Sequence, residues 1–225
     1  MSDRPAKSKD AMPEAQALPD TRERILIEAS RLLSINGYHG TTTRDIAAAV
    51  GISQPSLFFH FTNKLAIVQE LYEHDIVPAV AGLENLVVGP GDPAAKLYAM
   101  IVGEFGRIAD SPYDMRAHIS FEALSHPDLA GFRDLVNQFD DLTRLLIRSG
   151  QESGQFIAGD AWLAQQMVSG FLVRANLFAS SDRVERQINP EEGAGLVLRS
   201  LLTDPVSLEQ IQQEAKELIL RYRFP

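Results

Sequence analysis

Between Ser53 and Lys64 the chain places Ser53, Gln54, Ser56, His60, Asn63 and Lys64, and no carboxylate. Hydroxyls, amides, an imidazole and an ammonium can all donate hydrogen bonds. Without a neighbouring acid they suit a surface that meets phosphates and base edges. Gln54 is the most selective of them, because a glutamine amide can bind adenine through two hydrogen bonds. Pro55 stands beside it, and Thr42, Thr43 and Arg44 add two hydroxyls and a cation just upstream.

These groups need a frame, and the intervening residues supply one. Thr42 can cap a helix, and Asp45 three residues later can complete a capping box. Ile46, Ala47 and Val50 then give that helix one apolar face. Gly51 follows where a left-handed residue ends a helix without strain. Ile52 turns back toward the interior. Ser53 can cap a second helix with Pro55 in its first turn, where a missing N–H costs nothing. Leu57 and Phe61 lie four apart on one face, with Phe58 expected on the same side as Phe61. Asn63 can cap a third helix from Lys64. Ala47 must be small where the second helix crosses it. The arrangement is that of a helix-turn-helix, which lays its second helix in the major groove of DNA. A plain helical hairpin with a glycine turn has the same outline. The acid-free outward face favours DNA.

Around the motif, apolar periodicity and breakers predict helices throughout. The first spans Asp20 to Asn36 and ends at Gly37. The motif helices lie near 43–50 and 54–60. A long one runs from Lys64 toward Leu86, with Pro78 as a kink. Gly89-Pro90-Gly91-Asp92-Pro93 is the clearest break. Helices near 93–109, 112–125, 128–153, 160–180, 190–203 and 205–222 follow, and Asp128 is read as an N-cap after His126-Pro127. No strand-like alternation of useful length occurs, so the fold class is all-α. Three units are expected: a disordered arm over 1–19, a three-helix DNA-binding domain over 20–65, and a helical regulatory and dimerisation domain over 66–225. The arm carries Arg4, Lys7 and Lys9 and is either a loose terminus or a minor-groove arm.

Residues Thr21 to Leu71 resemble the DNA-binding domain of the tetracycline-repressor (TetR) family. The segments TRERILIEASRLLSINGYHGTTTRDIAAAVGIS and SLFFHFTNKLAIVQELY carry the likeness. It implies three helices plus the start of a fourth, then a helical domain that binds a small molecule and dimerises. It implies DNA contacts from Thr42, Thr43, Arg44, Ser53, Gln54, Pro55, Ser56, Phe58, Phe59, His60 and Lys64. Two positions depart from the family pattern. Phe58 and Phe59 stand where tyrosines commonly bind phosphates, and Thr62 replaces a proline. Phenylalanine cannot donate, so the burden of holding phosphate shifts to His60, Lys64, the two threonines and backbone N–H groups. Gln54→Ala is then expected to relax sequence preference, and Lys64→Ala to weaken all DNA sites alike.

The chain has 225 residues and no cysteine, which excludes disulfide frameworks and thiolate metal sites. No long apolar run reads as a membrane span and no apolar signal core opens the chain, so a cytoplasmic location is expected. The net charge is −9, unevenly spread: +1 over 20–65, 0 over 1–19, and −10 over the remainder. DNA would repel the acidic part and leave the near-neutral part to approach, with modest non-specific affinity.

Reading a palindrome needs a dimer, since the two recognition helices must sit about 35 Å apart. The stretches 160–180 and 190–203 carry more apolar surface than one packed face requires, and are expected to pair with their symmetry mates as a homodimer; otherwise they are internal core. Candidate ligand-binding residues are Phe105, His118, Phe121, Trp162, Phe171 and Arg174. Arg174 either clamps a ligand carboxylate or forms an ion pair at the dimer interface. His118 and Glu122 share a helix face, but without further ligands they make no metal site. No cofactor is expected. No nucleophile motif, HExxH or glycine-rich phosphate loop suggests an enzyme. The expected function is a ligand-responsive transcriptional regulator, a repressor bound to a palindromic double-stranded operator as a dimer and released by a small-molecule effector. The alternative is a structural or partner-recruiting DNA-binding protein on the same fold without an inducer.

Overall fold

The computed structural model describes residues 19–114, 125–179 and 189–221. The arm over 1–18, most of the helix expected at 112–125, and with it His118, Phe121 and Glu122, lie outside the described residues. The described chain is all-α: α1 Thr21–Gly40, α2 Thr43–Val50, α3 Gln54–His60, α4 Lys64–Val88, α5 Pro93–Asp110, α6 Ala130–Glu152, α7 Ala161–Ala179, α8 Pro190–Leu201 and α9 Leu208–Arg221. Short 3-10 turns, Pro127–Leu129 and Pro205–Ser207, precede α6 and α9. No helix among the described residues is long and apolar enough to cross a membrane.

Local chemistry explains the boundaries. Asp20 caps α1, its carboxylate accepting from the Glu23 amide at 2.8 Å. Gly37 breaks the helix at φ 72°, as the sequence predicts, but a further turn continues to Gly40. Pro78 sits inside α4, where it can donate no hydrogen bond to the His74 carbonyl. The start of α6 corrects an expectation. The cap is His126, whose Nδ1 accepts from the Asp128 amide at 3.2 Å, so Asp128 is a residue of the 3-10 turn and not its cap.

Buried apolar side chains gather into two clusters. One joins α1, α2 and α3 through Ile25, Leu26, Ile46, Ala47, Leu57 and Phe61, and extends to Leu71, Tyr72, Ile108, Tyr113 and Leu129. The other surrounds α5, which is buried from Ala94 to Ile101 without interruption. Such a helix is apolar all round because α4, α6, α7, α8 and α9 all pack on it. Lys96 is the exception that fits: its ammonium donates to the Val87 carbonyl at 3.0 Å and to that of Gly89, closing the C-terminal end of α4. The α6–α7 and α8–α9 connections meet in one antiparallel bridge, Phe156 with Leu202.

Candidate nucleic-acid interface

The expected caps of the motif form. Asp45 accepts from the Thr42 amide at 3.0 Å and hydroxyl at 2.6 Å, and the Asp45 amide donates back to Thr42 Oγ1 at 3.2 Å. These bonds hold the Asp45 carboxyl below the usual carboxylate range. The one acid beside the site is therefore spent on the cap. Gly51 adopts φ 78° and ends α2, and the Ile52 amide reaches back to the Ala47 carbonyl at 3.0 Å. Ser53 accepts from the Ser56 amide at 3.2 Å and Asn63 from the Ala66 amide at 2.9 Å, starting α3 and α4.

With those caps set, Thr42, Arg44, Ser53, Pro55, Ser56, Phe58 and Phe59 are exposed, and Thr43, Gln54 and His60 are half-buried beside them. The Gln54 amide nitrogen donates to Thr43 Oγ1 at 2.9 Å, so α2 holds the side chain expected to read a base. Phe59 is 87% exposed, its ring edge-on to His60 at 5.5 Å. Phe58 is 45% exposed while Phe61 is buried, which corrects the expectation that the two share a side. The helix stops at His60 and Phe61 is extended, at φ −139° and ψ 127°. Helical spacing therefore does not govern where Phe61 points.

Lys64 also differs from its expected role as a phosphate contact. Its ammonium is half-buried, donates to the Tyr38 and Thr41 carbonyls, the latter at 2.7 Å, and lies 4.0 Å over the Tyr38 ring. Burial pulls its pKa below the usual lysine range. It closes the end of α1, where carbonyls lack helical partners. Lys64→Ala is thus expected to cost the fold about 1–3 kcal/mol through those two orphaned carbonyls. Its melting temperature should fall, and any loss of DNA affinity should track the unfolded fraction. An unchanged melt with a large affinity loss would restore the phosphate role.

Other cations are also committed internally. Arg22 forks onto the Glu70 carboxylate, donates to the His60 carbonyl at 2.7 Å and covers the Phe61 ring at 4.2 Å. Arg24 donates to the Val50 carbonyl and Arg31 pairs with Glu28. Among the described lysines and arginines of residues 20–65, Arg44 alone makes no hydrogen bond or ion pair. The outward surface therefore carries hydroxyls, an amide, an imidazole, two phenyl rings and one arginine.

The described candidate ligand residues, Phe105, Trp162, Phe171 and Arg174, do not converge on one cavity. Phe105 is buried and its ring meets half-buried Phe171 at 5.6 Å, tilted, within the core around α5. Trp162 and Arg174 are exposed on α7. A cavity of about 830 Å³ opens elsewhere, between α4, α5, the turn at 111–113 and α9, lined by His74, Val102, Arg107, Asp110, Tyr113 and Ile219 among others. Periodicity had no access to it, because its walls come from segments far apart in sequence.

Comparison with known proteins agrees with this geometry. Residues 25–71 match the family described as bacterial regulatory proteins, tetR family. The HTH-type transcriptional regulator EthR of Mycolicibacterium smegmatis (strain ATCC 700084 / mc(2)155) is 31% identical over 138 residues, 60% of this chain and 63% of EthR's length. The fold resembles Mycobacterium smegmatis AmtR, with TM-score 0.75 at 22% identity over 92% of this chain and 98% of that one. It also resembles AibR, with TM-score 0.68 at 17% identity over 83% and 99%. Three capped helices around a glycine turn and the match across them lead to one assignment: residues 25–71 form a DNA-binding domain of the tetR family of bacterial regulatory proteins, on a chain that spans less than two thirds of EthR's length and shares its all-helical fold with AmtR.

Proposed function

We propose that this regulator is a repressor that binds a palindromic operator as a homodimer and is released by a small-molecule effector. Residues 20–65 act as the DNA-binding unit and the remainder as the regulatory and dimerisation unit. The observation that carries the reading is the acid-poor surface of exposed Arg44, Ser53, Ser56, Phe58 and Phe59 around half-buried Gln54 on a capped helix pair. Thr42, Thr43, Pro55 and His60 complete the contact. AibR, a protein of the same fold, was solved with both isovaleryl coenzyme A and operator DNA. That precedent supports an effector here without naming it.

The dimer reading rests on α7 and α8. Val168, Leu172, Ala194 and Leu198 bury one side of these helices in the core. Leu163, Met167 and Leu196 remain exposed on another, and the Ser200 hydroxyl lies 3.8 Å from the Met167 sulfur, which puts the two exposed strips side by side. A paired apolar face of this kind fits a four-helix interface across a two-fold axis.

Selection of DNA fragments bound by the purified protein tests the proposal. Enrichment of a palindromic sequence supports it, and no enrichment over random DNA overturns it. On the selected operator, Gln54→Ala is expected to cost about 1–3 kcal/mol and flatten the preference at one base pair in each half-site. Binding to scrambled duplex should hardly change. Equal losses on both duplexes would remove Gln54 from base recognition.

A further inference from the structure

We infer that the cavity lined by His74, Val102, Arg107, Asp110, Tyr113 and Ile219 is the effector site, that it takes an apolar organic cation, and that Tyr113 reports its occupancy to the DNA-binding unit through Glu23. The inference rests on the regulatory reading above and gives it a place and a ligand chemistry.

The volume, about 830 Å³, is that of a small-molecule site. Its walls mix aliphatic surface from Val102 and Ile219 with two aromatic rings, Tyr113 and His74, which sit 5.2 Å apart. The charge is set by a buried cluster. Arg107 bonds to Asp75 and Glu104, each at 2.8 Å, so its positive charge is cancelled within the protein. Glu104 is buried, and its Oε1 has no hydrogen-bond partner. Asp110 lies on the wall and Glu23 touches Tyr113 from behind. Even with Glu104 counted as neutral, the one guanidinium is matched by Asp75, and two further carboxylates remain, Asp110 on the wall and Glu23 at the Tyr113 hydroxyl. Such a site attracts a cation, and its aromatic rings favour one with apolar substituents.

The connection to DNA begins at the Tyr113 side chain. Tyr113 is buried, and its hydroxyl meets both Glu23 carboxylate oxygens on α1 at 3.0 Å. Burial and the Glu23 carboxylate push the phenol up, so it stays protonated and donates. The next residue adds two bonds to the same helix: the Asp114 amide donates to Ser30 at 2.9 Å, and Ser34 donates to the Asp114 carbonyl at 3.3 Å. A ligand that moves the Tyr113 ring breaks the bond to α1. It therefore prefers the conformation in which that helix is released.

Tetraphenylphosphonium and tetraphenylborate share shape and apolar surface and differ in the sign of their charge. Calorimetric titration of the full chain without DNA is expected to show the cation binding at least about tenfold more tightly than the anion. Asp110→Asn should narrow that preference, and Val102→Trp, which fills the cavity, should abolish binding with the melting transition retained. Equal or tighter binding of the borate, or full phosphonium binding by Val102→Trp, overturns the site. On the selected operator, the phosphonium should weaken wild-type affinity about tenfold; in Tyr113→Phe, at a phosphonium concentration shown by calorimetry to saturate that variant, the effect should be lost. An undiminished effect in Tyr113→Phe overturns the connection. Ligand binding is measured without DNA, so failure to bind any operator sinks the repressor reading separately.

Discussion

Met167→Glu combined with Leu196→Glu is expected to give a folded monomer whose operator affinity is at least about a hundredfold below wild type. Linking two half-site heads makes the second contact intramolecular, and losing the link forfeits an avidity of roughly 10²–10⁴. Both side chains project from α7 and α8 on the side away from Val168, Leu172, Ala194 and Leu198. Carboxylates there are hydrated in the monomer and would be buried unpaired in the dimer. The circular dichroism spectrum should stay helical while light scattering reports half the mass. A double variant that remains a dimer at micromolar concentration would place the interface elsewhere. Retention of wild-type affinity by a proven monomer would show that one head suffices.

The second large effect concerns a glycine far from DNA. A Cβ on Gly150 would lie 2.1 Å from Phe156 Cδ2 and 2.4 Å from Cε2, well inside contact distance. The ring is buried, and the Phe156 amide donates to the Gly150 carbonyl at 2.9 Å. Neither side can give way without opening the bridge to Leu202. Gly150→Ala should therefore cost about 3 kcal/mol, the upper end for forcing volume into a packed core. Phe156→Leu should recover part of the loss in the double variant, giving a coupling of about 1 kcal/mol or more in a double-mutant cycle. Simple addition of the two single effects in thermal or urea unfolding would refute the clash.

The residues that sequence alone placed well are those whose partners are local. Thr42, Ser53 and Asn63 each cap an amide three residues away, and Gly51 turns because only its own backbone must accept φ 78°. Chain spacing determines such bonds. Lys64 reads as a surface cation for the opposite reason: its carbonyl partners, Tyr38 and Thr41, lie 26 and 23 residues back. Arg22 finds Glu70 across 48 residues and Tyr113 finds Glu23 across 90. No periodicity encodes those meetings. The aromatic residues chosen as ligand candidates show the limit most clearly. Helical spacing says that Phe105 and Phe171 turn inward, and they do pack together in the interior. Whether an inward side chain meets another ring or an empty space depends on helices placed by the rest of the chain.

Pro78 gives α4 a mechanical meaning. The helix from Lys64 to Pro78 takes 14 steps along the axis, or roughly 21 Å of rigid rod. At one end Arg22 clasps α1, α3 and α4 together, so the recognition helix travels with the rod rather than bending away from it. At the other end Pro78 withholds a bond from the carbonyl of His74, the cavity-lining residue of α4. On the proposed reading the rod would be a lever loaded on DNA, pivoting where Pro78 leaves the His74 carbonyl without its helical bond. A tilt of about 10° there would carry the far end by about 4 Å, more than a hydrogen bond can stretch, so on that reading a modest push near His74 would unseat a whole head.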